Sequence, residues 1–270
     1  MPERITRSQL DELNTTLSDR DKDVLRVIRD YRYLYTNQIC RLYFTTATTP
    51  TAALRATSRN LKKLKELNLI SNLNRRIGGV RPGSSSLIWR LEPAGEHLLR
   101  LTDNTIRPRR KQFEPSTYFL AHTLAVAECY IRITELCTGT KVHLIETQNE
   151  PDNWRLYNSG GKIVSLKPDL FVVTQTGVYE DRYFFEIDLA TESPGTVLEK
   201  CGRYHQYYQG GLEQKQYRVF PLVVWMVPDE ARKLTVTRHI QTAFSKWPNL
   251  FQVITPEELT TLIHQETEEF

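Results

Sequence analysis

Residues 166–190 read LKPDLFVVTQTGVYEDRYFFEIDLA, and this stretch decides the fold of the C-terminal part of the chain. Two short apolar runs enclose the turn signal Gln175-Thr-Gly177, so the stretch predicts two neighbouring antiparallel strands. Side chains alternate between the two faces of a strand. Glu186 and Asp188 therefore share one face of the second strand, and Asp169 opens the first.

These three carboxylates are the first candidate site. Half-buried carboxylates repel each other and lose solvation unless a cation or a proton lies between them. Asp169, Glu186 and Asp188 are therefore candidate metal ligands. The alternative is that Glu186 and Asp188 lie on the solvated face of an edge strand, as most charged side chains do.

The composition is that of an ordinary globular protein. Its 270 residues are 40% hydrophobic and 25% charged, and the length is comfortable for two domains. No apolar run approaches about 18 residues and the first residues do not resemble a signal peptide, so we expect a cytoplasmic protein without membrane contact. The four cysteines form no CxxC pair, which favours free thiols over disulfides or a zinc site.

The charge is unevenly distributed along the chain. Residues 1–111 contain 22 Lys or Arg and 11 Asp or Glu, a net charge of +11, whereas residues 112–270 contain 14 and 21, a net charge of −7. A basic half is typical of nucleic-acid binding, and an acidic half with clustered carboxylates is typical of a metal site or a protein-facing surface. We expect a first domain at 1–102, a basic linker at 103–115 and a second domain at 116–270.

Residues 1–102 predict a winged helix-turn-helix domain. Apolar spacing predicts helices that begin near Ser18, near Thr36 and at about residue 51, and two strands then flank a basic tip. Such domains place one helix in the major groove of double-stranded DNA and a hairpin across the phosphates. The candidate DNA contacts are Arg55, Arg59, Lys62 and Lys63 in the third helix and Arg75, Arg76 and Arg81 in the hairpin.

Two alternatives to DNA contact stay open for this half. The third helix either reads DNA or has a basic face that is only solvated. Winged helices also mediate protein contacts, so the partner is either a nucleic acid or a protein.

Residues 116–270 predict an α/β (α+β) domain with a mixed sheet flanked by helices. A buried helix is expected at 119–136, and a parallel crossover is expected from the Glu186 strand through a helix at 195–209 to a strand at 220–227. His122 and Glu128 are polar groups on the first helix with either a structural or a functional role. Lys200, Arg203, Tyr204 and Tyr207 form one face of the second helix, which either contacts a scissile phosphate or packs on the sheet.

These residues resemble a known fold and, within it, a family. Pro168-Asp169, Glu186-Ile-Asp188 and Lys200 look like the PD-(D/E)xK restriction-endonuclease-like fold, whose members bind Mg²⁺ with an Asp and a Glu from adjacent strands and position water with a Lys. With Ala121–Glu128 and Tyr204 added, the chain resembles the replication-relaxation family of plasmids and integrative elements. That family is similar to MobC-type relaxases, and a winged helix commonly precedes its nuclease-like domain.

The resemblance implies a metal-dependent DNA endonuclease or relaxase of a mobile element, active in plasmid mobilisation, conjugation or replication. Asp169 and Glu186 would bind Mg²⁺ or Mn²⁺, Asp188 would add a ligand or orient water, and Lys200 would steady the charge on the phosphate. A tyrosine nucleophile, Tyr204 or Tyr207, is the alternative mechanism.

One residue departs from the nuclease pattern, because Asp188 stands where the fold has its Lys. Either Lys200 replaces that Lys from the helix, or the site binds metal or DNA without cutting. Three classes of protein stay open: a DNA-nicking enzyme; an inactive, site-specific DNA-binding accessory or regulator that recruits other transfer or replication proteins or forms a homodimer; and a winged-helix transcription factor with a small-molecule sensor domain.

Overall fold

The computed structural model describes residues 6–73, 87–103 and 114–265. Their internal contacts divide the chain into two compact units, residues 1–131 and 132–270. The division falls inside one long helix, and most of the predicted linker at 103–115 lies outside the described residues.

The N-terminal unit has five helices and a small sheet in its described part. Most of these elements were predicted, and the first helix and the first strand are additions. The helices are α1 (Arg7–Thr16), α2 (Asp19–Tyr31), α3 (Thr36–Tyr43), α4 (Pro50–Glu66) and α5 (Pro93–Asp103), and the strands are β1 (Leu34–Tyr35), β2 (Ile70–Asn72) and β3 (Ile88–Leu91).

Local signals explain where the main helices of this unit begin. The Ser18 side chain accepts a hydrogen bond from the Asp21 amide, and the Asp21 carboxylate accepts one from the Ser18 amide, which is a capping box at the start of α2. Thr49 caps α4, and Pro50 occupies its first turn, where no amide hydrogen is needed. Apolar residues then recur at helical spacing, so each helix buries one face.

The three strands form an antiparallel sheet in the order β1-β3-β2. The helix pair α3–α4 lies between β1 and β2 in the chain. Residues 74–86, which connect β2 to β3 and include the predicted basic tip, lie outside the described residues.

The C-terminal unit contains a five-stranded mixed sheet with flanking helices, which confirms the predicted mixed α/β fold class. The chain enters it through α6, which crosses from one unit to the other. The elements are α6 (Thr117–Cys137), β4 (Val142–Asn149), β5 (Arg155–Ser159), β6 (Lys162–Leu166), β7 (Leu170–Thr176), β8 (Tyr179–Ile187), α7 (Pro194–Gly210), α8 (Leu212–Tyr217), β9 (Leu222–Met226), α9 (Glu230–Ala243), β10 (Phe251–Ile254), a 3₁₀ turn (Pro256–Glu258) and α10 (Leu259–Ile263).

The strand order of the sheet is β10-β9-β8-β7-β4. Strands β7 and β8 pair antiparallel, as the turn signal predicts, and β8 and β9 pair parallel through α7, so the predicted parallel crossover is confirmed. Strands β5 and β6 form a separate two-stranded hairpin between β4 and β7.

One face of the sheet packs against α7 and α9 in a shared apolar core. Phe184 of β8 and Trp225 of β9 are fully buried there beside Tyr204 of α7. Glu186 lies two residues after Phe184 and therefore faces the same helices. The core thus holds the carboxylate site against α7.

The remaining expectations about the chain concern cysteines and membranes. All four cysteines are free, as predicted, and all four are buried. Across the described ranges, none of the helices combines the length and apolar character that a membrane crossing requires.

Candidate functional site

Asp169 and Glu186 are neighbours at one end of the sheet. Asp169 directly precedes β7, its amide donates to the Phe185 carbonyl (3.0 Å), and its Oδ2 accepts from the Ile187 amide (2.7 Å). Two hydrogen bonds to the backbone of β8 therefore fix Asp169. One joins it to the residue before Glu186 and the other to the residue after Glu186.

Glu186 is 2% exposed and takes both of its hydrogen-bond donors from α7. Its Oε1 accepts from the Tyr204 hydroxyl (2.6 Å), and its Oε2 accepts from the Lys200 ammonium (3.0 Å). Lys200 and Tyr204 are four residues apart, so they point from the same face of the helix. Two of the four residues predicted on this face, Lys200 and Tyr204, therefore contact the carboxylate, whereas Arg203 pairs with Glu199. The solvated-edge alternative for Glu186 is wrong.

Burial and charge set the protonation of this cluster. Burial, followed by repulsion from Asp169, raises the pKa of Glu186 to about 7, although Lys200 and Tyr204 favour its charged form. Burial alone would lower the pKa of Lys200, but the charges of Glu186 and Asp169 outweigh it and raise that pKa above its ordinary value. Lys200 therefore remains a cation at neutral pH.

Tyr204 remains a neutral phenol for similar reasons. Burial and the neighbouring Glu186 carboxylate raise its pKa well above the ordinary value. Its hydroxyl donates to Glu186, and the side chain is 1% exposed. Tyr207 is also buried, and its hydroxyl donates to Glu213 (2.7 Å). These contacts give both tyrosines structural partners, and a nucleophilic role for either stays a prediction.

Asp188 is buried like Glu186 but is paired elsewhere. Its Oδ2 accepts from Nε of Arg232 (2.6 Å), a residue of α9, and its Oδ1 is buried without a partner among the described residues. Arg232 also donates to the Glu192 carbonyl (2.7 Å), and the Glu192 carboxylate accepts from Lys200 (2.7 Å). Asp188 thus belongs to an ion-pair network with α9.

Sequence reasoning missed Arg232 and Glu192. Arg232 is 44 residues from Asp188 in the chain, and only the folded β8–α7–β9–α9 order brings the start of α9 to the end of β8. The one available signal was Asp229, which is a helix cap that predicts a helix start near Arg232.

The carboxylates can be tested against the metal that the resemblance implies. Within residues 6–73, 87–103 and 114–265, no group of three or more His, Cys, Asp or Glu side chains is arranged to hold a metal ion. Mg²⁺ is usually held by one or two carboxylates together with water and substrate phosphates. A divalent cation would relieve the repulsion between Asp169 and Glu186, so this pair remains the predicted metal site, whereas Asp188 pairs with Arg232.

A second candidate interface lies on α4. Arg55, Arg59 and Lys62 are exposed, while Thr57, Leu61 and Leu64 are buried on the opposite side. An open groove of about 570 Å³ beside the helix is lined in part by Arg20, Arg59 and Lys63. The exposed cations therefore form a basic surface of this unit.

Lys63 differs from the other predicted DNA contacts. Its ammonium pairs with the carboxylate of Asp21 (2.6 Å), a fully buried residue of α2. It therefore joins α4 to α2. The hairpin residues Arg75, Arg76 and Arg81 lie outside the described residues.

The two polar residues predicted on α6 have partners in the N-terminal unit. Glu128 accepts from Nε2 of Gln38 (3.0 Å) and from Nη1 of Arg41 (2.6 Å). The ring of His122 stacks on that of Tyr118, with centroids 6.3 Å apart. Glu128 therefore ties α6 to α3.

Fold and site together define a two-unit protein with a basic helical unit and a mixed-sheet unit that buries a carboxylate–lysine–tyrosine cluster. Residues 25–223 match the family described as replication-relaxation, and this match covers both units and most of the chain. The chain belongs to the replication-relaxation family. Neither curated proteins nor solved structures gave a match. Membership points to involvement in the replication or relaxation of plasmids or other mobile elements.

Proposed function

We propose that this protein binds double-stranded DNA of a mobile element through a winged helix and nicks it at the Asp169–Glu186 site with a divalent metal. The observation that carries the proposal is the buried Glu186 carboxylate, held by Lys200 beside a second carboxylate at the end of β8. Buried carboxylates with strongly shifted pKa values are costly and are concentrated at functional sites.

The topology of the N-terminal unit supports the DNA-binding part. A helix pair α3–α4 is followed by two strands of a small antiparallel sheet, which is the order that a winged helix-turn-helix requires. Arg55, Arg59 and Lys62 give α4 an exposed basic side, and residues 1–111 carry a net charge of +11. Basic side chains at such positions attract and position DNA phosphates.

The chemistry of the C-terminal unit supports the cleavage part. Asp169 and Glu186 are the residues that would hold Mg²⁺ or Mn²⁺, and such an ion polarises a phosphoryl oxygen and lowers the pKa of bound water. Lys200 keeps its proton, so its ammonium offers a fixed positive charge to a phosphate. Tyr204 keeps the Glu186 carboxylate oriented through a 2.6 Å hydrogen bond.

A second candidate function is a DNA-binding accessory that does not cut. It is favoured by the existing partners of the acids, because Tyr204 and Lys200 donate to both oxygens of Glu186 and Arg232 donates to one oxygen of Asp188. In this case the cluster is a structural network at the end of the sheet.

A nicking assay separates the two functions. Supercoiled plasmid that carries the element's own flanking DNA is incubated with Mg²⁺ or Mn²⁺ and with wild type, Glu186→Gln, Lys200→Met or the control Glu199→Gln. Glu199 is an exposed residue of α7 that pairs with Arg203, so its variant changes charge without touching the site.

Open circles from wild type and Glu199→Gln, absent with Glu186→Gln and Lys200→Met, support cleavage. A plasmid that is bound by wild type and stays supercoiled supports the accessory function. Absence of DNA binding by the folded wild-type protein contradicts both.

A further inference from the structure

The hairpin β5–β6 has two faces of different character. On the inner face, the Tyr157 ring lies 5.3 Å from the Tyr207 ring of α7, and its hydroxyl approaches the Arg203 carbonyl (3.4 Å). Leu166 is buried on the same face. The inner face is therefore explained by packing against α7.

The outer face exposes large apolar side chains to solvent. Leu156 is 67% exposed, Ile163 is 81% exposed and Trp154 is 38% exposed. The strand register pairs Arg155 with Leu166, so Trp154 stands opposite Lys167 at the next position. The Lys167 ammonium lies 3.9 Å from the centroid of the Trp154 ring.

This outer face begins beside the carboxylate pair. Asn153 is fully buried, and its Nδ2 donates to the Pro168 carbonyl (2.5 Å), which fixes the base of the hairpin to the residue before Asp169. Toward the tip of the hairpin, Trp154 is the next residue after Asn153 on one segment, and Lys167 is the next residue before Pro168 on the other. The outer face therefore begins at Lys167, two residues before Asp169 in the chain.

The charge of the hairpin contrasts with that of its surroundings. Residues 154–167 contain Arg155, Lys162 and Lys167 and no acidic residue, although residues 112–270 carry a net charge of −7. Arg155 pairs with Glu213 (3.0 Å), whereas Lys162 and Lys167 are exposed. The outer face thus combines apolar contact area with the positive charge of Lys167, and Lys162 adds a cation at the tip of the hairpin.

We infer that the outer face of the β5–β6 hairpin binds a short single-stranded segment of DNA that leads into the Asp169–Glu186 site. Single-strand binding relies on aromatic side chains that stack on bases and on cations that contact the backbone. Exposed apolar side chains can also insert between base steps and partly unstack them. The inference rests on the proposed function, since it supplies the DNA that this site would process.

The test measures the affinity of the full chain for fluorescein-labelled oligothymidine and, separately, for a duplex of the same length, at one fixed salt concentration. Trp154→Ala and Ile163→Ser are the hairpin variants, and Trp154→Phe retains an aromatic face. The matched control is Val178→Ser, because Val178 is an exposed aliphatic residue (86%) in the β7–β8 turn. Far-UV circular dichroism checks the fold of each variant.

We expect Trp154→Ala to bind oligothymidine about tenfold or more weakly, because a stacked base contributes about 1–3 kcal/mol. Ile163→Ser should also bind it more weakly, while Trp154→Phe and Val178→Ser stay close to wild type. Duplex affinity should be unchanged in all four variants. Intrinsic tryptophan fluorescence should be quenched by oligothymidine in wild type and not in Trp154→Phe.

Three results would overturn the inference. The first is wild-type protein that does not bind oligothymidine, and the second is equal oligothymidine affinity for wild type, Trp154→Ala and Ile163→Ser. The third is found by light scattering: wild type is a dimer, and Trp154→Ala is a monomer that still binds oligothymidine as wild type does. The outer face would then be covered by a second copy of the chain and not by DNA. If the proposed function is wrong, the result is different: wild type does not bind duplex DNA or does not nick the plasmid.

Discussion

The Glu186 carboxylate depends on two donors from one turn of α7, the Tyr204 hydroxyl and the Lys200 ammonium. A buried acceptor that loses its donor keeps its desolvation cost. We therefore expect Tyr204→Phe to lower the free energy of unfolding by about 1–3 kcal/mol in urea titrations. Tyr179→Phe, at an exposed position of β8, is the control and should change it by less than about 0.5 kcal/mol. Equal stability of Tyr204→Phe and wild type would show that this hydrogen bond is not formed.

Arg232 offers a second prediction at the residue scale, because it is the ion-pair partner of the fully buried Asp188 side chain. Removing one partner of a buried pair leaves an uncompensated charge, so Arg232→Met should destabilise the protein by about 3–5 kcal/mol. Adding Asp188→Leu should recover part of this loss. Arg238→Met, at an exposed site on the same helix, should leave the urea midpoint unchanged. A midpoint for Arg232→Met equal to that of the control would contradict the ion pair.

The residues of the carboxylate cluster differ in how far sequence could predict them. Glu186 and Asp188 follow from strand alternation, and Lys200 and Tyr204 follow from their four-residue spacing on a helix. Glu192 and Arg232 come from a loop and a helix whose position depends on the folded sheet. Spacing along the chain carries no information about such contacts.

At the scale of elements, Asp21 links two helices of the N-terminal unit. The fully buried Asp21 carboxylate of α2 accepts from Lys63 and Asn60 of α4 (2.6 Å each). Burial alone would raise the pKa of Asp21, but the hydrogen bonds from Lys63, Ser18 and Asn60 outweigh it and lower that pKa. Ionised Asp21 therefore links α4 to α2 more strongly than the protonated acid would.

The pH dependence of this link follows from the sign of the shift. A carboxylate whose pKa is lowered by folding stabilises the native state above its unfolded pKa of about 4, and the effect is lost as the pH falls through the folded value. The free energy of unfolding should therefore be higher for wild type than for Asp21→Asn near pH 7, and the difference should shrink below about pH 4. Exposed Asp19 supplies the control variant, Asp19→Asn. A difference in unfolding free energy between wild type and Asp21→Asn that stays constant down to about pH 3 would contradict the prediction.

Long, strongly patterned elements were the ones that sequence predicted. Helices α2, α4, α6 and α7 and strand β7 lie close to their predicted bounds, whereas β8 begins four residues before the predicted start at Tyr183. Strand β1 has only two residues, which is too short for a periodic signal, and β5 was missed although a Gly-Gly turn follows it. The sequence also did not indicate that α6 is shared between the two units, because the helix is apolar along most of its length. Its residues Leu120 and Leu124 pack with Tyr33 and Ile88 of the N-terminal unit.

At the scale of the whole molecule, the separation of charge is the main feature that sequence established. The basic half and the acidic half of the chain correspond broadly to different units, with net charges of +11 for residues 1–111 and −7 for residues 112–270. A protein with this distribution is expected to make most of its electrostatic contacts with duplex DNA through the basic unit. The membership of the chain in the replication-relaxation family agrees with a role on DNA.

The most direct test of the account is the salt dependence of duplex affinity for wild type, the double variant Arg55→Ala/Arg59→Ala and the control Arg238→Ala. Both α4 arginines are exposed, as is Arg238 in the C-terminal unit. The account predicts that the double variant binds more weakly and that its log–log salt slope is less steep by roughly 0.9 for each lost phosphate contact, while Arg238→Ala matches wild type. Equal affinity and slope for the double variant and wild type would contradict DNA binding through α4.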